Sequence, residues 1–258
     1  MKVLLANPPC RIALSDSKER YFVRAGSRWP FSIPKQKRAQ NTYRPFPFFL
    51  AYAAALLEED GHDVAVDDAV ALELSGDAFV ARALNFAPEV LLFETSTPTF
   101  KSDMALIRRI RDATKVSVCL AGPHATVFAK EILANCPDVD YVLTREYEFN
   151  LRDLVRCLDR RADVSAVAGL ATRNSVGAVQ ISNPTYVEPL DRLPYPARHL
   201  FPSRAEHNLD AYWDGFCQYR QRFDRQIAQN AVISRNNACA ARRNDPRLVT
   251  VGADQRQG

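Results

Sequence analysis

The sequence predicts an α/β fold in which a five-stranded parallel sheet carries helices on both faces, and three observations lead to this. Short apolar segments alternate with segments of helical period over residues 2–160. Of the 258 residues, 47% are hydrophobic and 25% are charged, which is ordinary globular composition. The alternation continues through five strand–helix units, as expected of parallel strands with right-handed helical crossovers. Such a fold is Rossmann-like and, more narrowly, flavodoxin-like.

The predicted strands are short apolar or alternating runs that end at polar or turn-forming residues. They cover Lys2–Ala6, His62–Asp67, Glu89–Thr95, Val116–Ala121 and Tyr141–Leu143. The continuous apolar centre of the third run predicts a strand that is buried on both faces.

The predicted helices follow these strands and repeat apolar residues at helical spacing. They cover Phe46–Glu59, Asp77–Asn85, Ser102–Thr114, Thr126–Ala134 and Asn150–Arg160. Gly61 stands where the first helix should stop, as glycine commonly does after a helix.

The sequence predicts that the chain is divided into three regions. Residues 1–165 form the Rossmann-like domain, and residues 166–217 hold a predicted β-hairpin (Val167–Thr172 and Ala178–Ser182) and an extended Pro-rich arm. Residues 218–258 contain no lysine and no sustained apolar period, so we expect a disordered tail.

Basic residues are concentrated in two segments, residues 10–45 and the tail 218–258. Residues 10–45 carry nine Lys or Arg against two acidic residues, whereas the whole chain has a net charge of only +4. The segment is either a solvated excursion or a lid over the sheet edge, where Arg24, Arg28 or Arg44 meets a phosphate or an anionic substrate. Nucleic-acid binding is a weaker alternative because the rest of the domain is acidic, and we expect no nucleic-acid partner.

Localisation signals are absent from the sequence pattern. The longest strongly apolar stretch, Phe46–Leu57, has 12 residues, fewer than the ~20 that span a bilayer. The amino terminus turns to Asn7-Pro8-Pro9 too early for a signal peptide. The six cysteines are scattered without metal-ligand spacing. We therefore expect a cytoplasmic protein without a membrane span and without a protein-bound metal site.

Polar residues gather where the predicted strands end, which is where ligands bind in parallel sheets of this kind. The loops are Asn7–Cys10, Thr95–Thr99, Gly122–Thr126 and Thr144–Glu148. A competing interpretation is that the Ser, Thr and Asn residues only cap helices. Glycine-rich nucleotide motifs and hydrolase motifs are absent, so neither a dinucleotide site nor a hydrolytic triad is predicted.

The order of several motifs resembles a known family. NPP, RAGSRWPFS, FPFFLAYAAALLEEDGHDV, PEVLLFETSTPTF, LAGPHAT and REYEFNLRDLV occur in succession. This succession is similar to the N-terminal cobalamin-binding domain of B12-dependent radical S-adenosylmethionine (SAM) enzymes. The resemblance covers roughly residues 1–217 and includes the Pro-rich arm.

The resemblance implies that cobalamin lies over the strand-end loops. The cofactor-binding residues carried over by motif position are Asn7, Pro8, Thr95, Ser96, Thr97, Gly122, Pro123, His124, Arg145, Glu146 and Glu148. Gly122 suits the close approach of a flat ring because it has no side chain. The D-x-H-x-x-G motif of other cobalamin proteins is missing, since Ala65 stands where its glycine belongs, so no protein His ligand on cobalt is expected.

The C-terminal segment departs from the family. A C-x-x-x-C-x-x-C triad, which would hold a [4Fe–4S] cluster and SAM, does not follow Cys217, and only Cys239 comes later. We expect a truncation or frameshift rather than a divergent tail. The chain alone is therefore not expected to carry out the family reaction, often methyl transfer, although it belongs to an enzyme family by resemblance.

Two other functions stay open at this stage. The same fold could serve as a flavodoxin-like small-molecule or partner-binding domain that does not retain corrin. Alternatively, a separate barrel subunit could complete a radical SAM enzyme with this chain.

Overall fold

The computed structural model describes residues 1–9, 46–184, 186 and 190–202, together with the backbone of three short strands between residues 11 and 34. The side chains of the basic segment 10–45 lie outside the described residues, and so does the tail from residue 203 onward. The predicted lid with Arg24, Arg28 and Arg44 and the predicted disordered tail 218–258 therefore stay predictions.

The strands form two sheets, numbered here in chain order. The larger sheet contains β1 (Lys2–Asn7), β5 (Asp63–Asp68), β6 (Val90–Glu94), β7 (Ser117–Ala121), β8 (Tyr141–Leu143), β9 (Leu170–Arg173) and β10 (Val179–Ile181). The smaller one is antiparallel and contains β2 (Arg11–Ala13), β3 (Glu19–Phe22) and β4 (Ser32–Pro34).

Within the described part of the chain, six helices connect the strands of the larger sheet or follow them. They are α1 (Phe48–Glu59), α2 (Gly76–Phe86), α3 (Phe100–Ala113), α4 (Pro123–Val127), α5 (Ala129–Asn135) and α6 (Glu148–Asp159). Two single turns of 3-10 helix lie beyond the hairpin, at Leu190–Arg192 and Arg198–Leu200. The first of these turns belongs to a separate compact unit of the chain.

The larger sheet has the order β10-β9-β8-β7-β6-β1-β5. Five neighbouring strands pair in parallel, namely β5, β1, β6, β7 and β8. At the β8 side, β9 and β10 add an antiparallel hairpin. Counted along the chain, the five parallel strands have the order 2-1-3-4-5, which is the flavodoxin-like arrangement. The strand order reverses between β1 and β6, so the crevice expected for a ligand opens between these two strands.

The core has one apolar layer on each face of the sheet. On one face α1 and α6 pack on residues such as Leu5 and Leu92, and on the other α2, α3 and α5 pack on residues such as Leu4 and Phe93. All five residues of β6 are buried. The prediction that this strand is covered on both sides is therefore confirmed.

The predicted fold class is confirmed, and one predicted helix is wrong in its bounds. Thr126–Ala134 is not a single helix, because α4 begins already at Pro123 and the chain bends at Phe128, where φ is −110° and ψ is 26°. Proline at the first helical position has a favourable φ and needs no N–H partner, so it starts α4 early. The smaller sheet of β2, β3 and β4 was not predicted.

Part of the Pro-rich arm lies against α1. The N–H of Ala197 donates to the carbonyl of Ala51 at 2.9 Å, and Ala197 and Phe201 are both buried. The Phe201 ring contacts the Phe46 ring, with centroids 4.6 Å apart. The guanidinium of Arg198 lies over the ring of Phe46 at 4.8 Å.

Candidate ligand site at the carboxyl edge of the sheet

The end of β1 places two of the predicted residues next to the crevice. Asn7 and Pro8 are buried, and Asn7 pairs with Asp68 in the neighbouring strand. The side-chain Nδ2 of Asn7 donates to Oδ1 of Asp68 at 2.8 Å. Its Oδ1 is buried and has no hydrogen-bond partner among the described residues. A buried acceptor without a partner costs free energy unless a ligand supplies a donor.

The loop after β6 is organised by Asp103, which is fully buried in α3. Its Oδ2 accepts hydrogen bonds from the hydroxyls of Thr95 at 2.7 Å and Thr99 at 2.9 Å. Ser96 contacts the Thr99 hydroxyl in turn, at 3.0 Å. Because the Thr95 hydroxyl is used inside the protein, its role here is to fix the loop against α3, although it does not cap that helix.

Thr97 and His124 meet across two loops. Their Oγ1 and Nδ1 atoms lie 3.1 Å apart, and Thr97 is exposed. The imidazole lies between the rings of Phe100 and Phe128, with centroid distances of 4.4 and 4.7 Å. Burial lowers the pKa of His124 below its ordinary value, and the charge of Asp103 only partly opposes this shift. His124 is therefore a neutral group at physiological pH, held in place by its two neighbouring rings.

Gly122 begins the turn into α4. Its φ is 102° and its ψ is −179°, a backbone conformation that is essentially restricted to glycine. Pro123 follows at the start of the helix and is exposed. The backbone at this position therefore carries no side chain of its own, so that a flat ligand could approach it closely.

Arg145 follows β8 and links the loop after β8 to the loop after β7. Its N–H donates to Oγ1 of Thr126 at 2.9 Å. Its guanidinium donates to the hydroxyl of Tyr186 and lies over that ring, 5.6 Å from the centroid. Both side chains are exposed.

The backbone of Arg145 is strained, with φ at 63°. A left-handed conformation costs a residue with a Cβ about 1–2 kcal/mol compared with glycine. An exposed contact between a guanidinium and an aromatic ring returns only about 0.5–1 kcal/mol. The contact with Tyr186 is thus too weak to explain by stability alone why arginine stands at this position.

Buried carboxyl groups lie beneath the same edge. Glu94 is fully buried, and its Oε1 accepts a hydrogen bond from the Tyr147 hydroxyl at 2.5 Å. Glu148, in the first turn of α6, is 3% exposed, and its Oε2 has no hydrogen-bond partner in the described part of the chain. Burial raises the pKa of Glu148 to about 7, with the charge of Glu146 contributing to the shift and hydrogen bonds from the backbone N–H groups of Glu148 and Tyr147 opposing it. Burial also raises the pKa of Tyr147 well above its usual range, with Glu94 and Glu148 adding to the effect.

The structure brings some of the predicted residues into contact and separates others. Direct contacts join Thr97 to His124, and Arg145 to the loop that begins at Gly122. Thr95 is turned toward α3 instead.

Sequence reasoning missed four residues at this edge. They are Asp68, Glu94, Thr126 and Tyr147. Thr126 and Tyr147 carried a signal, since they lie in the Gly122–Thr126 and Thr144–Glu148 loops. Asp68 and Glu94 lie at strand ends, and their contacts join distant parts of the chain.

Groups of three or more His, Cys, Asp or Glu side chains that could hold a metal ion do not occur within the described ranges. Cys119, Cys136 and Cys157 are free thiols, and burial raises the pKa of Cys119 strongly. No helix in the described part of the chain is long and apolar enough to cross a bilayer.

Part of the chain matches a family of cofactor-binding domains. Residues 40–155 match the family model of the B12 binding domain. The matched region runs from just before α1 to within α6 and includes three of the four strand-end loops. This region of the chain is therefore similar to a B12-binding domain, in agreement with the resemblance in its motifs.

Two curated relatives are similar over most of this chain. An uncharacterized methyltransferase of Pyrococcus horikoshii is 25% identical over 204 residues, which is 78% of this chain and 39% of that protein. The anaerobic magnesium-protoporphyrin IX monomethyl ester cyclase of Synechocystis is 25% identical over 195 residues, or 74% of this chain and 34% of the cyclase. This chain thus spans only about one third to two fifths of the length of these relatives.

Two solved structures share the fold. The cobalamin-dependent SAM radical enzyme OxsB, with aqua-cobalamin bound, superposes with a TM-score of 0.58 at 13% identity, covering 76% of this chain and 24% of OxsB. The radical SAM methyltransferase TsrM of Kitasatospora setae, with cobalamin and a [4Fe–4S] cluster bound, gives a TM-score of 0.51 at 16% identity, covering 76% of this chain and 31% of TsrM.

Proposed function

We propose that the B12-binding domain of this chain holds cobalamin at the carboxyl edge of the sheet, over the ends of β1, β6, β7 and β8. The observation that carries the proposal is the pair of buried oxygens at this edge, Asn7 Oδ1 and Glu148 Oε2, which have no partner among the described residues. A corrin ring is bordered by amide side chains, whose N–H groups are donors for such oxygens.

The donor and acceptor set of the edge fits this cofactor. Asn7 and Glu148 would accept from the amides, and the exposed hydroxyl of Thr97 would donate to or accept from them. The bare backbone at Gly122 would allow the flat ring to come close. When bound, cobalamin supplies a cobalt–carbon bond for group transfer, and the residues of this chain bind and orient it.

We further propose that His124 positions Thr97 rather than binding cobalt. Its ring is held between Phe100 and Phe128, and its Nδ1 is engaged with the Thr97 hydroxyl. The imidazole therefore fixes the direction of the hydroxyl that faces the ligand.

The names of the relatives suggest the reaction in which this domain takes part. One is named a methyltransferase and another a cyclase, and the solved enzymes of like fold are radical SAM proteins. We propose that this domain presents cobalamin to a radical SAM reaction of that kind. The 258 residues contain no C-x-x-x-C-x-x-C triad, so we expect the chain alone to bind corrin without cleaving SAM.

Retention of hydroxocobalamin tests the proposal. The purified chain is mixed with excess hydroxocobalamin, desalted in dim light and examined by visible absorption. We expect about one equivalent of corrin to stay with the protein. A folded chain that retains no corrin would refute the proposal and favour the alternative of a flavodoxin-like domain with another ligand.

A pair of asparagine variants locates the site. Asn7→Ala removes the unpartnered oxygen, and we expect it to lower the retained corrin. Asn135→Ala is the matched control, because Asn135 is exposed at the end of α5 and, among the described residues, its amide donates only to the Glu131 carbonyl of the same helix. Equal loss in both variants, with both shown to be folded by circular dichroism, would argue against the proposed edge.

A further inference from the structure

Arg145 and Thr126, which are in contact at the edge of the sheet, carry hydrogen-bond donors that suit an anion. The Thr126 oxygen already accepts from the Arg145 N–H, so its own O–H hydrogen can point only toward another acceptor. That O–H has no acceptor among the described residues. The Thr126 hydroxyl is therefore an available O–H donor beside the backbone of Arg145.

The guanidinium of Arg145 is only partly used by the protein. One N–H group donates to the Tyr186 hydroxyl, and the stacked ring fixes the plane of the guanidinium. The remaining N–H groups have no hydrogen-bond partner in the described part of the chain. A planar guanidinium with several aligned donors is suited to two oxygens of one phosphate group.

The backbone supports a role in ligand binding. Four non-glycine residues have positive φ among the described residues, and two of them, Ala87 and Arg161, lie at the ends of helices where this conformation is common. Arg145 instead lies between a strand and the start of a helix, at the ligand edge. Strain that stability does not explain is typical of functional positions.

Nearby carboxyl groups limit the charge of a suitable anion. Glu146 is half-buried and has a partner of its own, and Glu148 is buried with a pKa of about 7. A single negative charge that is shared between two oxygens is therefore favoured over a dianion.

We propose that Arg145, together with the Thr126 hydroxyl, binds the phosphodiester in the nucleotide loop of cobalamin. This inference rests on the proposed function and adds one recognition element to it. Cobalamin carries one such singly charged phosphodiester, whereas cobinamide keeps the corrin and its free amides but lacks the nucleotide and its phosphate.

The test compares the two corrinoids in matched variants. Dissociation constants of hydroxocobalamin and cobinamide are measured for the wild-type chain, Arg145→Gly and Arg161→Gly. Arg161→Gly is the control, because it removes the same charge and the same positive-φ side chain at the other end of α6, where Arg161 is exposed. Glycine adopts both conformations without strain, so both variants are expected to fold.

We expect Arg145→Gly to weaken hydroxocobalamin binding by about tenfold or more and cobinamide binding by less than about twofold. Arg161→Gly should leave both unchanged. Equal weakening of the two corrinoids by Arg145→Gly, or no weakening of either, would overturn the inference. If the wild-type chain binds neither corrinoid, the proposed function itself fails, and that outcome is distinct from the others.

Inorganic phosphate separates the cofactor from another source of the same anion. Phosphate should compete with hydroxocobalamin in the wild-type chain and not with cobinamide. If phosphate instead binds to wild type through Arg145 while hydroxocobalamin affinity does not depend on Arg145, the site takes a free phosphate, and the assignment to the cofactor is overturned.

Discussion

The hydroxyl of Tyr147 donates a 2.5 Å hydrogen bond to Oε1 of Glu94 and so joins the start of α6 to the carboxyl end of β6. Both side chains are buried, and the two residues are 53 positions apart in the chain. Buried polar pairs are stabilising only when both members are satisfied, because a single orphaned partner carries the full cost of desolvation. The pair therefore fixes the position of α6 relative to the crevice at β6.

Removal of this hydroxyl should destabilise the fold. Tyr147→Phe removes the Tyr147 donor from the buried Glu94 Oε1 and is expected to lower the free energy of unfolding by about 1–3 kcal/mol. Urea denaturation followed by circular dichroism measures the change. Tyr141→Phe is the control, since Tyr141 is half-buried and its hydroxyl has no hydrogen-bond partner in the described ranges. A loss in Tyr147→Phe no larger than in Tyr141→Phe would contradict the role of the pair.

Glu148 should make stability fall as the pH rises. Burial raises its pKa from 4.5 to about 7 in the folded chain. The folded state therefore binds more protons than the unfolded state in this window, and stability decreases from about pH 4.5 to about pH 7. The full difference is up to about 3 kcal/mol.

Two glutamine variants check this pH dependence. In Glu148→Gln the decrease should disappear, because the amide does not titrate, whereas Glu146→Gln should retain it. Unfolding free energies are measured from about pH 4 to about pH 8. A wild-type chain whose pH profile matches that of Glu148→Gln would show that Glu148 titrates normally.

The titration of His124 should change the stability of the fold in the direction opposite to that of Glu148. Its folded pKa lies below the ordinary value of 6.5 because burial disfavours the imidazolium. Its contribution to stability is therefore complete above about pH 6.5 and is lost as the pH falls through the folded pKa. NMR titration of the imidazole, assigned by its loss in His124→Gln, should give a midpoint below 6.5, and a midpoint at or above that value would contradict the packing described around the ring.

Substitution of Arg145 by glycine should hardly alter stability. Relief of the left-handed strain, about 1–2 kcal/mol, is offset by loss of the Tyr186 contact, about 0.5–1 kcal/mol, and by the added freedom of unfolded glycine, about 0.5–1 kcal/mol. Denaturation of Arg145→Gly should thus give an unfolding free energy within about 1 kcal/mol of wild type. A loss above about 2 kcal/mol would mean that Arg145 serves the fold, and the argument from strain would no longer point to a ligand.

The sequence was sufficient to predict the parallel sheet because each strand and helix carries its own local apolar period. The continuous run around Leu92 and the break at Gly61 are examples, since both depend only on neighbouring residues. The split between α4 and α5 was missed because Phe128 is apolar and fits a helical period, although its backbone departs from one.

The candidate site was predictable as a place but not as a set of contacts. Strand ends locate the loops that hold Asn7, Thr97 and His124. By contrast, the burial of Glu94 depends on Tyr147, and the direction of Thr95 depends on Asp103. Such pairings follow from tertiary packing, which local composition does not contain.

The most direct test of the account is the dissociation constant of hydroxocobalamin for the wild-type chain, Gly122→Ala and Gly177→Ala. Gly122 and Gly177 both have positive φ, at 102° and 80°, so both substitutions introduce backbone strain, but Gly177 lies in the hairpin turn, where an added Cβ would meet nothing within 4 Å. We expect wild type and Gly177→Ala to bind one equivalent with equal affinity and Gly122→Ala to bind about tenfold more weakly or worse. Equal affinity in all three chains, or no binding by a folded wild-type chain, would contradict the placement of cobalamin at this edge of the sheet.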